Sequence, residues 1–516
     1  MASILPNDTR HEVRATFPLH DLAFTMDALR QGTRPTQQTS PPDTPQTDSF
    51  PVETDELHHF KLAESGRISE DEEPMVAVIG CGYVGTQLIN SFSSQYDTIG
   101  FDVSKEQIHR VQEQYEGEED RATFTVDPRD LAQATHFLVS VPTLLKADKT
   151  IDTSYIKSAL MNIRRYAREG STVVIESSVA IGMTRQLLGP LAQERGFFAG
   201  MSPERVDPGR TDPPMKTIPK VLSGLDDIIP GSLDAITRLY SRVFDTIVPV
   251  SNPETAEMTK LYENCQRMVA ITYANEMADA CIPHDIDPFE VCRAASTKPF
   301  GYTPYTPGLG VGGHCIPVNP YYLLANSSFP LLKMATETMW QRPEKIGRRS
   351  LASLFDEEIA PDADGQVRET SAKRSSISKA SAINAINRGM NEVHINNNVT
   401  PELAPSHVSK PRRTSIMIPR VLVVGVGFKA GQSHLSNSPG LKLIQTLADS
   451  GRVDVMFADA LVEQCAIPNI PRLSMDEWNK KSLEEFDMII VAFKQLGMDF
   501  NVLDELENVK IEMWCP

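Results

Sequence analysis

The run Met75-Val76-Ala77-Val78-Ile79, followed at once by Gly80-Cys81-Gly82-Tyr83-Val84-Gly85, limits what this chain can fold into more than any other stretch. Five apolar, mostly β-branched residues have the composition of a parallel strand covered on both faces. The glycine pattern opens a helical run, Thr86-Gln87-Leu88-Ile89, and a second strand ends Ile99-Gly100-Phe101-Asp102. Strand, glycines, helix and acid in that order form a βαβ unit, so a doubly wound α/β domain is expected. In such a unit Gly80, Gly82 and Gly85 let a pyrophosphate approach the backbone around Tyr83 and Val84. Asp102 then accepts from the adenosine ribose hydroxyls and repels a 2′-phosphate, so NAD is expected rather than NADP.

Further βα units follow: Phe137 to Thr143, a helix-like stretch from Tyr155 to Arg168, and Thr172 to Ser178. Open α/β sheets bind ligands at the carboxyl ends of their strands, which makes Pro142, Thr143 and Ser178 expected cofactor contacts. The same polar residues can cap the next helix, and both roles can hold together. Phe198 to Gly209 is another strand end, with Glu204 and Arg205 in a loop stiffened by Pro203 and Pro208, and Lys220 opens a further strand. By spacing alone these three read as solvated charges.

From Pro253 the pattern becomes a helix of about thirty residues, with Asn252 as its N-cap and an apolar stripe at 258, 261, 262, 265, 268 and 269. Lys260 and Asn264 are four apart and share a face, to which Asn275 returns. A long helix linking two domains suits pairing with its twin in a homodimer, and its bland reading is a core helix with a wet face. Downstream lies Pro307-Gly308-Leu309-Gly310-Val311-Gly312-Gly313-His314-Cys315-Ile316-Pro317-Val318-Asn319-Pro320. Its glycines permit close backbone approach to a ligand with Cys315 at the tip, a geometry suited to a nucleophile. Taken alone, such a loop is also compatible with a surface turn carrying an inert thiol.

Helices run on to about Phe355, and regular structure resumes at Arg420 with Val421-Leu422-Val423-Val424-Gly425-Val426-Gly427-Phe428-Lys429. A helix from Ser438 to Ser450 and strands at Val453 to Phe457 and Met488 to Phe493 make a second, smaller Rossmann-like α/β domain. The intervening 356–418, like 1–72, is polar and lacks apolar periodicity, so both are expected to be disordered. The expected organisation is a disordered segment (1–72), an NAD-binding domain (73–250), a central helical dimerisation and catalytic-loop domain (251–355), a disordered insertion (356–418) and a C-terminal domain (419–516), whose UDP-sugar-binding role is implied by the resemblance described below.

A net charge of −18 argues against nucleic acid or an anionic membrane as the main partner. Seven scattered cysteines form no metal-type pairs and suit reduced thiols, and no secretory leader or apolar run of about 20 residues is present. A cytoplasmic protein without a metal is expected.

Together these motifs resemble the UDP-glucose/GDP-mannose dehydrogenase family. Ser202-Pro203-Glu204-Arg205-Val206-Asp207-Pro208-Gly209, Lys298-Pro299-Phe300-Gly301 and Gly312-Gly313-His314-Cys315-Ile316-Pro317 look most like its UDP-N-acetylhexosamine 6-dehydrogenases. The resemblance implies NAD-dependent oxidation of the C6 alcohol of a UDP-sugar to the uronic acid, in polysaccharide biosynthesis. Cys315 would form the thioester, Lys260 and Asn264 would hold the oxyanion and water, Glu204 would be the base for hydrolysis, and Ser178 keeps the hydroxyl of a family threonine. Substrate contacts are implied for Glu204, Arg205, Lys260, Asn264, Tyr305, Gly308, Gly312 and Lys429. Asn319 stands where the family has an aspartate, Ser436 where it has an arginine, and the chain stops at Pro516 without the family's usual final strand and arginine. The expected protein is therefore either an active dehydrogenase or a catalytically impaired NAD-binding dimeric relative with a binding or regulatory role.

Overall fold

The computed structural model describes residue 68 and residues 72–115, 121–207, 212–357 and 418–516. The segments expected to be disordered, 1–72 and 356–418, lie outside the described residues apart from 68, 72, 356, 357 and 418.

Strands β1 (Met75–Ile79), β2 (Asp97–Phe101), β3 (Ala122–Thr125), β4 (His136–Val139), β7 (Thr172–Ile175), β8 (Phe198–Met201), β9 (Lys220–Gly224) and β10 (Ile247–Pro249) form one sheet, ordered β10-β9-β8-β7-β4-β1-β2-β3. A two-stranded hairpin, β5 (Leu144–Leu145) and β6 (Ile151–Asp152), stands outside it. Alternate residues of β1 and β4 serve separate cores: Ala77, Ile79, Phe137 and Val139 on one face, Val76, Val78 and Leu138 on the other. Burial on both faces is what the continuous apolar run demanded. The expected parallel sheet is corrected at one seam, because β8 and β9 run antiparallel with Gly200 opposite Gly224. A Cβ on Gly200 would lie 2.0 Å from the Ser223 carbonyl oxygen, so the two backbones meet here only because residue 200 lacks a side chain.

Helix α1 (Tyr83–Phe92) follows the glycine turn, α2 (Lys105–Gln114), α3 (Ser154–Tyr166), α4 (Met183–Arg195) and α5 (Ser232–Tyr240) flank the sheet, and α6 (Pro253–Cys281) leaves it. The Asn252 side chain caps α6 by accepting from the Thr255 N–H at 2.8 Å, with Pro253 in the first turn. The face of α6 that reads blandly as wet is enclosed, and the apolar stripe is buried only in part. Lys260 and Asn264 are 6% and 0% exposed, whereas Tyr262, within the supposed core stripe, is 72% exposed. Only Leu261, Cys265 and Met268 of that stripe join a core, with Tyr322 and Leu323 of α8 (Asn319–Leu324) and Leu332, Ala335 and Met339 of α9 (Pro330–Leu354). Helix α7 (Pro288–Ala295) lies between α6 and the glycine-rich loop.

The far half of α9 carries a second, parallel sheet, ordered β12-β11-β13-β14, from β11 (Arg420–Val424), β12 (Asp454–Ala458), β13 (Met488–Val491) and β14 (Lys510–Met513). The last of these, absent from the sequence reading, pairs with β13 from Met488↔Lys510 to Val491↔Met513. Its run Lys510-Ile511-Glu512-Met513 is too short and mixed to announce a strand. Helix α10 (Pro439–Asp449) packs on α9 where Gly347 faces Thr446. No helix among the described residues is long and apolar enough to cross a membrane.

Helices α6 and α9 are clamped together. Arg342 of α9, 4% exposed, donates to both oxygens of Asp279 on α6 (2.6 and 3.2 Å) and to the Gly308 carbonyl (3.1 Å). Arg342→Met is expected to leave the Gly308 carbonyl without its donor and Asp279 with Arg349 alone at 3.6 Å, and to cost about 3 kcal/mol, a loss of several degrees in calorimetric melting temperature. Arg348→Met, whose partner Glu344 lies at the surface, is expected to cost under about 1 kcal/mol.

Candidate active site

At the carboxyl end of β1 the chain turns through Gly80, whose φ of +94° favours glycine, and a Cβ on Gly85 would lie 1.8 Å from the Gly80 carbonyl oxygen. Gly82, at the N-cap of α1, has nothing within 4 Å of its absent Cβ. The helix start at Tyr83 and Val84 is thus left open to an anionic group. Asp102 lies beside it, one oxygen accepting from Cys81 N–H and the other from Ser104 N–H, both at 2.9 Å. These two bonds fix the carboxylate at the mouth of the turn while leaving it only half-buried. An open cradle with an acid at its edge fits the diphosphate and ribose of NAD. Pro142 and Thr143 follow β4, and Ser178 stands half-buried beyond β7, so all three share the carboxyl edge of the sheet.

The second sheet repeats the device in closed form. Asp459, after β12, is fully buried and accepts from the N–H groups of Val426 (2.9 Å), Leu461 (2.9 Å) and Val462 (3.2 Å) and from Gln495 Nε2 (3.0 Å). Its lone pairs are consumed by protein, so this acid shapes its loop and cannot reach a ribose.

The largest correction concerns the charges beyond β8. Lys220, expected in solvent, is 2% exposed, and its Nζ donates to Glu176 (2.7 Å) and Glu204 (2.6 Å). Tyr240 of α5 donates its hydroxyl to the other oxygen of Glu176. Burial pushes the Glu176 carboxyl up to about 7, with Lys220 opposing. Burial also acts on Glu204, but Lys220 and the N–H groups of Arg205 and Val206 outweigh it and hold that carboxyl below its ordinary value. Arg205 ties the same loop to α6 through Glu263 (2.6 Å) and to the Pro219 carbonyl (2.9 Å). Spacing gave no sign of this cluster, since its members are brought together by the antiparallel β8–β9 seam.

On α6, burial lowers the pKa of Lys260, and Cys315, Glu204 and Glu263 supply the opposing negative potential. No described residue holds its Nζ in a hydrogen bond or ion pair. Asn264, one turn on, donates through Nδ2 to Asn319 Oδ1 and accepts at Oδ1 from Arg267. Asn319 begins α8, and its backbone N–H donates to the Cys315 carbonyl at 2.9 Å. The structure thus brings Cys315, Lys260, Asn264, Asn319 and Glu204 to one place, with Arg267, unnoticed in the sequence, beside them.

The glycine-rich loop is held by protein along its length. Gly308 N–H donates to Asn275 Oδ1 at 2.8 Å, Gly313 N–H donates to the Ser436 carbonyl at 2.8 Å, and Asn437 Nδ2 donates to the Gly313 carbonyl at 2.9 Å. A Cβ on Gly312 would stand 2.9 Å from both Phe428 and Pro439, so the close approach its glycine allows is that of the second α/β domain. Lys429 pairs with Asp207 at 3.2 Å, bridging that domain to the Glu204 loop. Tyr305 stands apart: it lines an apolar groove of about 920 Å³ along α6 and α7 that includes none of Cys315, Lys260, Asn264 or Glu204. Among the described residues no cluster could hold a metal ion.

A dinucleotide-type cradle on the first sheet, in a chain that also gathers a cysteine, a buried lysine and two buried amides, has the architecture of a nicotinamide-type oxidoreductase. Residues 74–244 match the NAD binding domain, and residues 254–338 the central domain, of the UDP-glucose/GDP-mannose dehydrogenase family, and this chain belongs to that family. It is 33% identical over 266 residues to a UDP-N-acetyl-D-glucosamine 6-dehydrogenase of Pseudomonas aeruginosa, covering 48% of this chain and 62% of that one. It is 30% identical over 313 residues to a UDP-N-acetyl-D-mannosamine dehydrogenase of Salmonella typhi, covering 54% and 72%. In fold it is similar to a solved UDP-D-ManNAc dehydrogenase from Pyrococcus horikoshii, with a TM-score of 0.64 at 23% identity over 85% of this chain and 95% of that one.

Because Glu176 is held near 7, against an ordinary 4.5, its folded form prefers the proton, and the stability it contributes is present below about pH 4.5 and lost as pH rises through 7. Glu176→Gln is expected to remove this slope, so the melting temperature measured at pH 5 and pH 8 should differ less in the variant than in the parent.

Proposed function

We propose that this chain oxidises the C6 alcohol of a UDP-N-acetylhexosamine or UDP-glucose to the uronic acid through a thioester on Cys315. The observation that carries the reading is Lys260: an ammonium 6% exposed, without a protein partner for its Nζ, placed with Asn264 beside the cysteine loop. A buried cation left unpaired is costly unless a negative charge arrives to meet it. NAD, when bound, takes up the hydride from C6. The Cys315 thiolate adds to the resulting aldehyde, and Lys260 and Asn264 Nδ2 stabilise the thiohemiacetal oxygen. After a second oxidation the thioester is hydrolysed by water oriented by Glu204, which Lys220 keeps ionised. Lys429 and Arg205, which flank the Glu204 loop, would border the UDP-sugar. The same reading places a second copy of the chain on the exposed apolar row Met258, Tyr262, Tyr273 and Met277 of α6, where a twin helix would cover the groove that Tyr305 lines.

The test is a panel of UDP-sugars with NADH formation followed by absorbance. Two NADH per uronic acid are expected, and Cys315→Ser should stop before acid is released, because a serine hydroxyl is a poorer nucleophile and leaving group near neutral pH. Acid formation at the parent rate in that variant would exclude the thioester, and no turnover with NAD still bound would leave a binding or regulatory protein. Asn319→Asp should restore a negative charge beside Lys260 and raise the hydrolytic step roughly tenfold, as about 1.4 kcal/mol of transition-state stabilisation would give.

A further inference from the structure

Hydrogen-bond chemistry fixes the direction of the row Arg267–Asn264–Asn319. A guanidinium has donors only, so the Asn264 atom facing Arg267 must be its carbonyl oxygen, and its NH₂ therefore points to Asn319. The Asn319 oxygen accepts from that NH₂, which leaves Asn319 Nδ2 as the free end of the row. That atom has no partner among the described residues, in a residue only 2% exposed. It belongs to a residue whose backbone N–H is bonded to the Cys315 carbonyl. Two facing asparagines have no preferred direction by themselves, since either amide can donate to the other. An outside group must break the tie.

We propose that Arg267 is the positioning residue that sets this direction, so that the row ends in an N–H donor, rather than a carbonyl oxygen, beside Cys315. The proposal rests on the reading of Cys315 as the nucleophile only for its catalytic meaning. It follows that the role of Arg267 depends on what stands at 319. With asparagine there, loss of Arg267 frees the pair to reverse, and the Asn319 oxygen then faces the thiolate. With aspartate there, an acceptor alone, Asn264 keeps its NH₂ toward 319 whatever stands at 267.

The experiment is the rate of alkylation of Cys315 by iodoacetamide across pH 6–9, read by peptide mass mapping in the full chain without substrate, so that it stands apart from whether any UDP-sugar is turned over. Thiolate displaces iodide, and its rate reports how well the surroundings favour the anion. Arg267→Met is expected to slow alkylation near pH 7 about fivefold, and Arg267→Lys, which still donates, to stay within about twofold of the parent. In the Asn319→Asp background, Arg267→Met should change the rate by less than about twofold. Equal slowing in both backgrounds would show that Arg267 acts merely as a charge or a packing group and would overturn the proposal. So would a Met variant that alkylates like the parent, or a Lys variant as slow as Met.

Discussion

A single ammonium enclosed by two carboxylates holds the carboxyl edge of the first sheet in shape. Lys220 opens β9, Glu176 follows β7, Glu204 follows β8 and Tyr240 closes α5, so the ends of three strands and one helix converge on one buried point. Removing such charges from water is expensive, and the cost is offset only if every donor and acceptor finds its partner. That demand fixes the antiparallel β8–β9 seam, which in turn requires the bare backbone at Gly200. The loop leaving β8 is tethered from both sides, by Lys220 beneath and by Arg205 to Glu263 on α6, and Glu204 therefore sits at a set height above the sheet.

The central helix answers a different constraint. A helix carrying both a polar and an apolar face ordinarily buries the second, yet α6 encloses Lys260, Asn264 and Asn275 and leaves Tyr262 and Tyr273 outside. Each buried polar group other than Lys260 has a structural partner: Asn275 holds Gly308 N–H, and Asn264 lies between Arg267 and Asn319. Lys260 alone spends its burial on no protein contact. A buried cation left without a hydrogen bond or ion pair among the described residues stores unfavourable energy where a developing anion can release it.

The sequence made the first sheet legible because a parallel strand buried on both faces, a glycine turn and an acid at fixed distance can hardly serve another fold. The capped start of α6 was equally readable, since Asn252 and Pro253 act within one turn. Lys220 and Arg267 were not. A lysine at a strand start and an arginine on a helix read as solvated until tertiary contacts place them, and nothing local distinguishes a guanidinium that positions an amide from one that meets water. The stripe on α6 was legible in part: Leu261, Cys265 and Met268 join a core as the periodicity predicts, but nothing local shows that Tyr262 stays outside or that Lys260 and Asn264 are enclosed.

The glycines around Cys315 show how local pattern and tertiary use diverge. Read alone, they promise room for a ligand, yet the space at Gly312 is filled by Phe428 and Pro439, and the Gly313 N–H is taken by Ser436. The cysteine is thereby mounted on a loop whose backbone is bonded to the second α/β domain at one end and, through Gly308, to Asn275 and Arg342 at the other. Any shift of that domain must break these bonds or carry the thiol with it. The position of the Cys315 thiol is consequently a property of how the two sheets are joined along α9, and the serine at 436, which contributes through its carbonyl, preserves that join without a long side chain.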